Sequence, residues 1–313
     1  MIITKKVATV NKVLISGSSG FIGKNLSTFL RTRSYNVVSL VRGSISQHNA
    51  IAWDPEKGHV PIEELEGFDA IIHLAGKNIA SRRWTHAVKE ELFLSRTRDT
   101  WLLAHSLLRL KNPPKCLIVA SATGYYGNRP GEERLTEEAP AGSGFLADLC
   151  QRWEEAAQCV TKAGVRLVQT RFGIVLSQEG GMLKRLLPVY RAGLGATLGS
   201  GKQFYPWVSL EDLIRALHFA LENHSLTGPV NVVAPERITQ EQFSRKLAES
   251  LHRPHFMKLP APLLRLVLGQ MADEMLLAST PAYPEKLLAQ GFSFETPTLN
   301  AELRTQNAKL KRV

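Results

Sequence analysis

Residues 12–23 read KVLISGSSGFIG, an apolar run followed by a turn with three evenly spaced glycines. The run from Lys12 to Ser16 is typical of a short buried strand. Apolar side chains then recur at helical spacing, at Phe21, Ile22, Leu26, Phe29 and Leu30. Glycines between a strand and a helix permit a tight turn and close packing of the helix on the strand. The segment therefore predicts a strand, a turn at Gly17–Gly23 and a helix over 21–30.

The same alternation of strand and helix continues along the first half of the chain. Further apolar runs predict strands at residues 36–41, 69–74, 116–120 and 165–176. Amphipathic segments predict helices at roughly 85–110 and at 145–162. Apolar strands separated by amphipathic helices are typical of a parallel sheet that is buried on both faces. The sequence thus predicts an α/β fold, a doubly wound parallel sheet of the Rossmann type.

The pattern changes after residue 176, which predicts a second and smaller unit. Four glycines punctuate this region, at Gly193, Gly195, Gly199 and Gly201, and they predict hairpins or a substrate-facing loop. Capping boxes at 209–212 and 239–242 predict two helices. We therefore expect a dinucleotide-type domain over residues 1–176 and a mixed α/β and helical domain over 177–313, with a strand near 230–233 returning to the main sheet.

The Leu-rich block at 259–268 is consistent with either core or a dimer surface, and the sequence does not fix the oligomeric state.

Composition limits the class of protein. The chain has 313 residues, of which 44% are hydrophobic and 21% charged, so it can bury a large core. Lys and Arg outnumber Asp and Glu by 39 to 28, a net charge of +11, but the excess is scattered apart from the tail at 304–312. Because no nucleic-acid-binding motif accompanies the charge, we expect no nucleic-acid partner and attribute the basic balance to a phosphate-bearing ligand.

The sequence also predicts the compartment. Cys116, Cys150 and Cys159 show no CxxC spacing, which argues against a disulfide framework and a thiolate metal site. The residues before Lys12 lack the apolar region of a secretory signal and read as a short leader. Since no apolar segment approaches the roughly 20 residues that span a bilayer, we expect a cytoplasmic protein with no membrane partner and no bound metal.

The glycine turn and the second strand together indicate a cofactor. Free N–H groups and the positive dipole end of a helix, placed after such a turn, bind a pyrophosphate. Where an NAD-binding protein has an acidic residue at the end of the second strand, this chain has Val41-Arg42. A guanidinium pairs with a 2′-phosphate that a carboxylate would repel, so the sequence favours NADP(H) over NAD. The alternative is that Arg42 is an ordinary surface arginine.

Many further motifs occur in order along nearly the whole chain. They are His73-Leu74-Ala75-Gly76, Gly76-Lys77-Asn78-Ile79 with Arg83-Trp84, Ser95-Arg96, Ser121 to Gly127, Trp153-Glu154, Arg171 to Leu176, Gly180-Gly181, Gly199 to Gln203, Trp207 to Asp212, Ala234-Pro235, Arg253-Pro254 and Gly291 to Phe294. Together with the glycine turn and Arg42, they make the chain resemble the extended short-chain dehydrogenase/reductase family of NAD(P)-dependent epimerases and dehydratases. It is most similar to the atypical subfamily described as sugar nucleotide epimerases or cell-division-inhibitor-like proteins.

The resemblance implies a set of cofactor contacts. The residues that it assigns to the pyrophosphate are Gly17, Ser18, Ser19, Gly20, Phe21 and Ile22, and those that it assigns to the adenosine 2′-phosphate end are Val41 and Arg42. It places Leu74, Ala75 and Gly76 against the ribose on the adenine side. Gly173, Ile174 and Val175 would clamp the nicotinamide. Glu91 and Arg96 match a subfamily pattern that meets the cofactor, although an ordinary ion pair on a helix surface explains them too.

The resemblance breaks at the expected acid–base group. The family uses a Tyr-x-x-x-Lys pair and a Ser to exchange a proton with the substrate during hydride transfer. Here Phe145 or Leu146 fills the Tyr position, so Leu149 or Cys150 fills the Lys position. The remaining catalytic candidates are Ser121, Tyr125 and Tyr126, with Cys150 as nucleophile and Asp148 as base less favoured.

Two functions therefore remain open. The first is an NADP(H)-dependent epimerase or oxidoreductase acting on a small polar substrate such as a nucleotide-linked sugar. Substrate-facing candidates are Lys77, Asn78, Arg83, Gln203 and Trp207, whose cations fit an anionic ligand. The second is a non-catalytic module that binds NADP(H) and signals redox state through a partner surface on the C-terminal domain. Loss of the Tyr-Lys pair favours the second function, and the complete glycine turn with polar cleft residues favours the first.

Overall fold

The computed structural model describes residues 10–43 and 49–310, without the side chains of residues 309 and 310. Most of the predicted leader and the end of the basic tail lie outside these described residues. Among the described residues, every helix is too short or too polar to span a lipid bilayer.

A seven-stranded parallel sheet forms the centre of the molecule. Its strands are β1 (Lys12–Ser16), β2 (Asn36–Arg42), β3 (Ala50–Trp53), β4 (Ala70–His73), β5 (Cys116–Ala122), β6 (Arg166–Phe172) and β10 (Gly228–Val232). They are arranged in the order β10-β6-β5-β4-β1-β2-β3, and every neighbouring pair is parallel. The predicted doubly wound parallel sheet is thereby confirmed.

Ten α-helices occur in the described part of the chain. They are α1 (Phe21–Arg31), α2 (His86–Leu107), α3 (Phe145–Ala157), α4 (Gly181–Arg191), α5 (Leu210–Glu222), α6 (Gln240–Ser250), α7 (Ala261–Leu268), α8 (Gln270–Met275), α9 (Glu285–Ala289) and α10 (Leu299–Leu310). Helices α1 and α5 pack on one face of the sheet around Leu26, Leu30 and Leu217. Helices α2 and α3 cover the other face around Leu103 and Trp153. The sheet is therefore buried on both faces.

Four short strands lie outside the main sheet. β7 (Ile174–Leu176) pairs with β9 (Trp207–Ser209), and β8 (Ala196–Leu198) pairs with β11 (Met257–Leu259). Both pairs are parallel, so the glycine-rich segment that contains β8 does not form hairpins, which were one of the two structures that its glycines predicted; the other, a substrate-facing loop, stays a prediction. The reason is that β8 pairs with a strand about 60 residues away in sequence, which no local turn signal encodes.

Several element boundaries differ from the sequence expectation. Strand β3 was missed, because its four residues carry too little pattern to separate them from a loop. The strand expected over 165–176 is interrupted at Gly173, which bonds back to the carbonyl of Val232. The helix expected to 162 leaves α-helical geometry at Ala157 and continues as a 3₁₀ helix to Ala163.

The two predicted capping boxes have different outcomes. Thr239 and Gln242 form the full reciprocal box at the start of α6, as predicted. At α5, Ser209 accepts from the Asp212 N–H as predicted, but the Asp212 carboxylate accepts from the backbone N–H groups of Glu295 and Thr296 instead. That carboxylate therefore ties the C-terminal segment to α5.

Candidate functional site

The turn after β1 requires glycine at two positions. Gly17 has φ +71°, and a Cβ atom there would lie 2.9 Å from the backbone nitrogen of Ala75. A Cβ atom at Gly23 would lie 2.2 Å from the Gly17 carbonyl oxygen. The turn thus packs directly against the chain that leaves β4 and against the start of α1.

The first turn of α1 is available to an anion. Its N-cap is Gly20, whose N–H donates to the Gly17 carbonyl, and no side chain among the described residues caps the helix. The first turn carries no acidic residue. The unpaired N–H groups and the positive end of the helix dipole therefore face the turn without competition from a carboxylate.

A buried guanidinium lies beside the end of β4. Arg96 on α2 is only 9% exposed, and it donates to the carbonyls of Lys77, at 2.9 Å, and Leu92, at 3.2 Å. A Cβ atom at Gly76 would lie 3.4 Å from Arg96 Cζ. No carboxylate in the described part of the chain forms an ion pair with it, and burial lowers its pKa. A buried cation without a counter-ion is costly, so this position favours an anionic ligand.

Glu91 and Arg96 do not pair with each other. Glu91 accepts from Lys77 Nζ at 3.1 Å and also from Arg82, and these hydrogen bonds lower its pKa. Its role in the structure is to hold the loop that follows β4. The sequence left open that Glu91 and Arg96 form an ordinary ion pair on the helix surface. Glu91 does form surface ion pairs, but with Lys77 and Arg82, and Arg96 forms none with the described residues.

The remaining cofactor candidates lie at the same edge of the sheet. Val41 and Arg42 end β2, where Val41 is half-buried and Arg42 is exposed. Leu74 donates its N–H to the Ser16 carbonyl, and Ala75 donates to Ser16 Oγ. Because the carboxyl ends of parallel strands share one edge, these residues and the glycine turn lie at the edge of the sheet where ligands bind in folds of this kind.

The segment after β6 closes the cleft on the other side. Gly173 could not carry a side chain, because its Cβ atom would lie 2.8 Å from the Pro206 carbonyl oxygen. Ile174 donates its N–H to that carbonyl at 2.7 Å, and Val175 follows on β7. A Cβ atom at Gly180 would lie 2.5 Å from the ring of Phe21. Phe21 therefore joins the glycine turn to the entrance of α4.

The structure identifies which residues fill the acid–base positions. A Cβ atom at Gly124 would lie 3.2 Å from Leu146 Cβ and 3.7 Å from Cys150 Sγ. Leu146 and Cys150, rather than Phe145 and Leu149, thus face the loop after β5. Burial raises the pKa of the Cys150 thiol to about 12. The thiol is therefore protonated near neutral pH and does not act as a nucleophile.

An unforeseen carboxylate caps α3 at this point. Glu274, on α8, accepts from the N–H groups of Phe145 at 3.0 Å and Leu146 at 2.7 Å. Gly144, with φ +108°, lets the carboxylate come close. The sequence offers no local signal for this contact, because the two partners are about 130 residues apart.

Ser121 belongs to a buried charge network. Its hydroxyl donates to Glu154 Oε1 at 2.7 Å, and Arg171 contacts both Glu154 oxygens at 2.8 Å. Burial alone would lower the pKa of Arg171, but the Glu154 carboxylate raises it above its usual value. The Ser121 hydroxyl is therefore bonded within the protein. The sequence gives Glu154 and Arg171 only as family motifs, whereas the structure shows that they form the buried ion pair next to Ser121.

The two tyrosines differ in their surroundings. Tyr126 is fully buried, and its hydroxyl donates to Asn231 Oδ1 at 2.7 Å while Arg171 donates to it at 3.0 Å. Burial raises the pKa of Tyr126 to about 12. Tyr125 is half-buried, and its ring lies 3.5 Å from the Arg171 guanidinium. Of the two phenols, only that of Tyr125 retains some access to solvent.

The substrate-facing candidates separate into two groups. Gln203 donates to the carbonyls of Leu198 and Leu276, and Trp207 is 1% exposed, so both are structural. The other three, Lys77, Asn78 and Arg83, lie in the loop between β4 and α2. Arg185 on α4 donates to the Ala80 carbonyl of that loop at 2.8 Å. This hydrogen bond places a further cation beside the loop.

Two family models match the chain. One, described as the NAD dependent epimerase/dehydratase family, matches residues 13–234. The other, described as a domain of unknown function, DUF1731, matches residues 259–306. The first covers the sheet and the cleft, and the second covers α7 to α10.

Known proteins resemble the chain over nearly its whole length. An epimerase family protein of Mycobacterium bovis, Mb2239, is 41% identical over 292 residues, which are 93% of this chain and 96% of the relative. The crystal structure of the human epimerase family protein SDR39U1 (isoform 2) with NADPH has a TM-score of 0.88 and 33% identity, and the match covers 95% of this chain and 99% of that one. The nucleoside-diphosphate sugar epimerase of Corynebacterium glutamicum has a TM-score of 0.79 and 28% identity over 95% of this chain and 58% of that one.

Proposed function

Because the chain belongs to the NAD-dependent epimerase/dehydratase family, we propose that it binds NADP(H) at the carboxyl edge of its parallel sheet. The observation that carries the proposal is the turn of Gly17 and Gly23, which no side chain could enter, next to a helix N-terminus free of acidic residues. The NADPH in the similar human structure supports this choice of cofactor.

The proposed contacts follow the edge of the cleft. The backbone from Gly17 to Ile22 holds the pyrophosphate, and Val41 and Arg42 hold the 2′-phosphate end. Leu74 to Gly76 lie along the ribose, with Arg96 as a buried cation beside them and Glu91 holding their loop. The backbone of Gly173 to Val175 borders the nicotinamide. This cofactor supplies hydride transfer when it is bound.

We propose a small polar, anionic substrate such as a nucleotide-linked sugar. Arg83 and Arg185 form no salt bridge in the described part of the chain, so their charges are available to phosphate groups, whereas Lys77 is paired with Glu91. The name of the similar Corynebacterium glutamicum protein, a nucleoside-diphosphate sugar epimerase, supports the same class. We propose that residues 1–176 form a cofactor-binding domain and residues 177–313 a substrate-side domain.

Tyr125 is the proposed proton-transfer group. Ser121 and Tyr126 are bound to buried partners, and Leu146 and Cys150 cannot exchange a proton near neutral pH. The Tyr125 side chain is half-buried, and its ring centre lies 3.5 Å from the Arg171 guanidinium carbon. In the proposed reaction Tyr125 holds or releases the proton of the substrate hydroxyl.

The second candidate function is a non-catalytic NADP(H)-binding module. One observation favours it: the position of the family's Tyr-Lys pair is filled by an aliphatic side chain and a buried, protonated thiol. Under this alternative, the redox state of the cofactor alters a partner surface on the substrate-side domain. For either function we propose a cytoplasmic setting, because Cys116, Cys150 and Cys159 are all free thiols.

Calorimetric titration tests the cofactor. We expect NADPH to bind more tightly than NADH, and Arg42→Ala to weaken NADPH binding roughly tenfold or more, as expected for one charge-assisted phosphate contact of about 1.5–3 kcal/mol. Arg109→Ala, which removes another exposed arginine, is the matched control and should bind as the unchanged protein does. Equal affinity for NADPH and NADH would contradict the role of Arg42, and binding of neither would contradict the proposal.

A Tyr125→Phe variant separates the two functions. Loss of turnover on a panel of nucleotide-linked sugars, with NADPH affinity intact, is expected if Tyr125 transfers the proton. Turnover that survives the substitution would exclude Tyr125 from that role. If the unchanged protein binds NADPH and converts none of the panel, the non-catalytic function becomes the better account.

A further inference from the structure

Exposed apolar side chains are concentrated in the substrate-side domain. Ten large hydrophobic residues are exposed in the described part of the chain, and six belong to this domain's α4, α7 and the segments beside β8 and β11. These six are Val189, Leu194, Phe256, Leu263, Leu266 and Val267. Single exposed apolar residues need no explanation, but a concentration of them does.

Three of the six are neighbours in space. Leu194 donates its N–H to the Val189 carbonyl at 3.1 Å, and it precedes β8 by two residues. Phe256 immediately precedes β11, whose Met257 pairs with Ala196 of β8. A Cβ atom at Gly193 would lie 3.9 Å from Pro254, which joins the two segments. Phe256 is 76% exposed, Leu194 53% and Val189 43%, so all three project into solvent.

Three exposed basic residues lie on the same segments as these side chains. Arg191 ends α4, Arg253 lies three residues before Phe256, and Lys258 lies on β11 two residues after it. None of these three cations forms a salt bridge in the described structure. We name the surface of Val189, Leu194, Phe256, Arg191, Arg253 and Lys258 the basic apolar edge.

Acidic residues are absent from both segments that form this edge. The sequence has no Asp or Glu from residue 180 to 210 or from residue 250 to 272. The nearest carboxylates are at the ends of these ranges and on the packed helix α6, where Glu249 is exposed and Glu241 pairs with Arg245. His252 is exposed, whereas His255 turns inward and bonds Ser244 through Nε2. The edge therefore combines protruding apolar groups with unneutralised positive charge.

We infer that the basic apolar edge docks the protein on an anionic lipid surface. Protruding aliphatic and aromatic side chains enter the headgroup region while Lys and Arg pair with anionic lipids. A second copy of the chain is a poor occupant, because two edges of the same positive sign would repel each other. The inference revises the sequence-based expectation of no membrane partner, which rested on the absence of a spanning segment. It is independent of the proposed function, because it uses none of the cleft residues.

Vesicle sedimentation with the full chain tests the inference. The probes are vesicles of phosphatidylcholine alone and of equal parts phosphatidylcholine and phosphatidylglycerol, at low and at high salt. We expect sedimentation with the anionic vesicles only, and release at high salt because ions screen the attraction. Absence of sedimentation with both kinds of vesicle would overturn the inference.

Two variants of the edge localise the contact. Leu194→Ser with Phe256→Ser should abolish sedimentation, and Arg253→Glu with Lys258→Glu should weaken it by at least about fivefold for each charge removed. The matched controls, Leu108→Ser with Leu288→Ser and Arg109→Glu with Lys111→Glu, change exposed residues of the same kinds elsewhere and should sediment normally. Circular dichroism and thermal unfolding of every variant show whether the fold is retained.

Three results would contradict the assignment to this edge. Equal loss in the control variants would mean that total charge or hydrophobicity, and not the edge, causes sedimentation. Loss on Leu266→Ser with Val267→Ser and not on the edge variants would place the contact on α7. A concentration-dependent rise in molecular mass that the edge variants abolish would make a second copy of the chain the occupant.

Discussion

The salt bridge between Arg171 and Glu154 is the most deeply buried charge pair of the site. Their side chains are 3% and 9% exposed, and both carboxylate oxygens contact the guanidinium. Glu154→Gln leaves the buried guanidinium without a counter-ion, which should lower the free energy of unfolding by about 3 kcal/mol. Urea denaturation measures the change.

The control for this prediction is Glu155→Gln, one residue away. Glu155 pairs with Arg152 on the surface, where both side chains are about 60% exposed, so its loss should cost about 0.5 kcal/mol or less. A Glu154→Gln variant as stable as the Glu155→Gln variant would show that the buried pair does not hold the site together.

His73 makes the stability of the protein depend on pH. It lies within the sheet, with Nδ1 bonded to Ser16 Oγ at 2.6 Å, and burial lowers its pKa to about 4. The unfolded chain takes up a proton near pH 6.5 while the folded chain resists it until about pH 4. The contribution is therefore present above pH 6.5 and is lost as the pH falls from 6.5 to 4, by about 3 kcal/mol in all.

A His73→Asn variant checks this titration. Asn can keep a hydrogen bond to Ser16, so we expect the variant to fold with lower stability. Its free energy of unfolding should lack the part of the pH dependence that comes from the histidine. Denaturation at several pH values between 4 and 7 compares the slopes. Parallel curves for the two proteins over this range would assign the pH dependence to other groups.

At the scale of elements, the N-terminus of α3 depends on a distant helix. The Glu274 carboxylate of α8 satisfies two N–H groups of α3 and lies at its positive dipole end. Glu274→Ala should lower the free energy of unfolding by about 1 kcal/mol. It should also increase hydrogen exchange of the Phe145 and Leu146 amides, which mass spectrometry measures.

The same experiment has an internal control. The amides at the start of α6 are capped by Thr239 and Gln242 within their own segment, so their exchange should stay unchanged in Glu274→Ala. If the two α3 amides keep their protection as well, α8 does not act as the cap in solution.

Elements whose signal is local could be predicted from the sequence. The turn at Gly17–Gly23 and the capping box at Thr239 depend on neighbouring residues, and both occur as expected. The missing elements depend on distant partners. Strand β3 exists because β2 offers it an edge, and β8 because β11 does. A short stretch of sequence does not show that its residues will pair with a distant strand.

The candidate site shows the same division between local and distant signals. Motif positions predict the candidate cofactor residues at one edge of the sheet, since the ends of parallel strands meet there. The sequence could not show that Ser121 is committed to Glu154, that Tyr126 is buried, or that Glu274 caps α3. Each of these facts requires the packing of segments far apart in the chain.

At the scale of the whole molecule, packing and polar contacts join segments that lie far apart in the chain. Asp212 on α5 accepts from the backbone of Glu295 and Thr296, and Arg185 on α4 reaches the loop after β4. Phe21 packs against Gly180 at the entrance to α4. A ligand in the proposed position would therefore touch segments that are separated by more than 150 residues of chain.

Hydrogen-exchange mass spectrometry with and without NADPH tests the account most directly, because it locates the ligand on the chain. The account predicts slower exchange at residues 17–22, 74–76 and 173–175 together, and no change at the basic apolar edge. NADH at the same concentration should give weaker protection. Protection confined to other segments, or absent at saturating NADPH, would contradict the claim that the carboxyl edge of the sheet is the cofactor site.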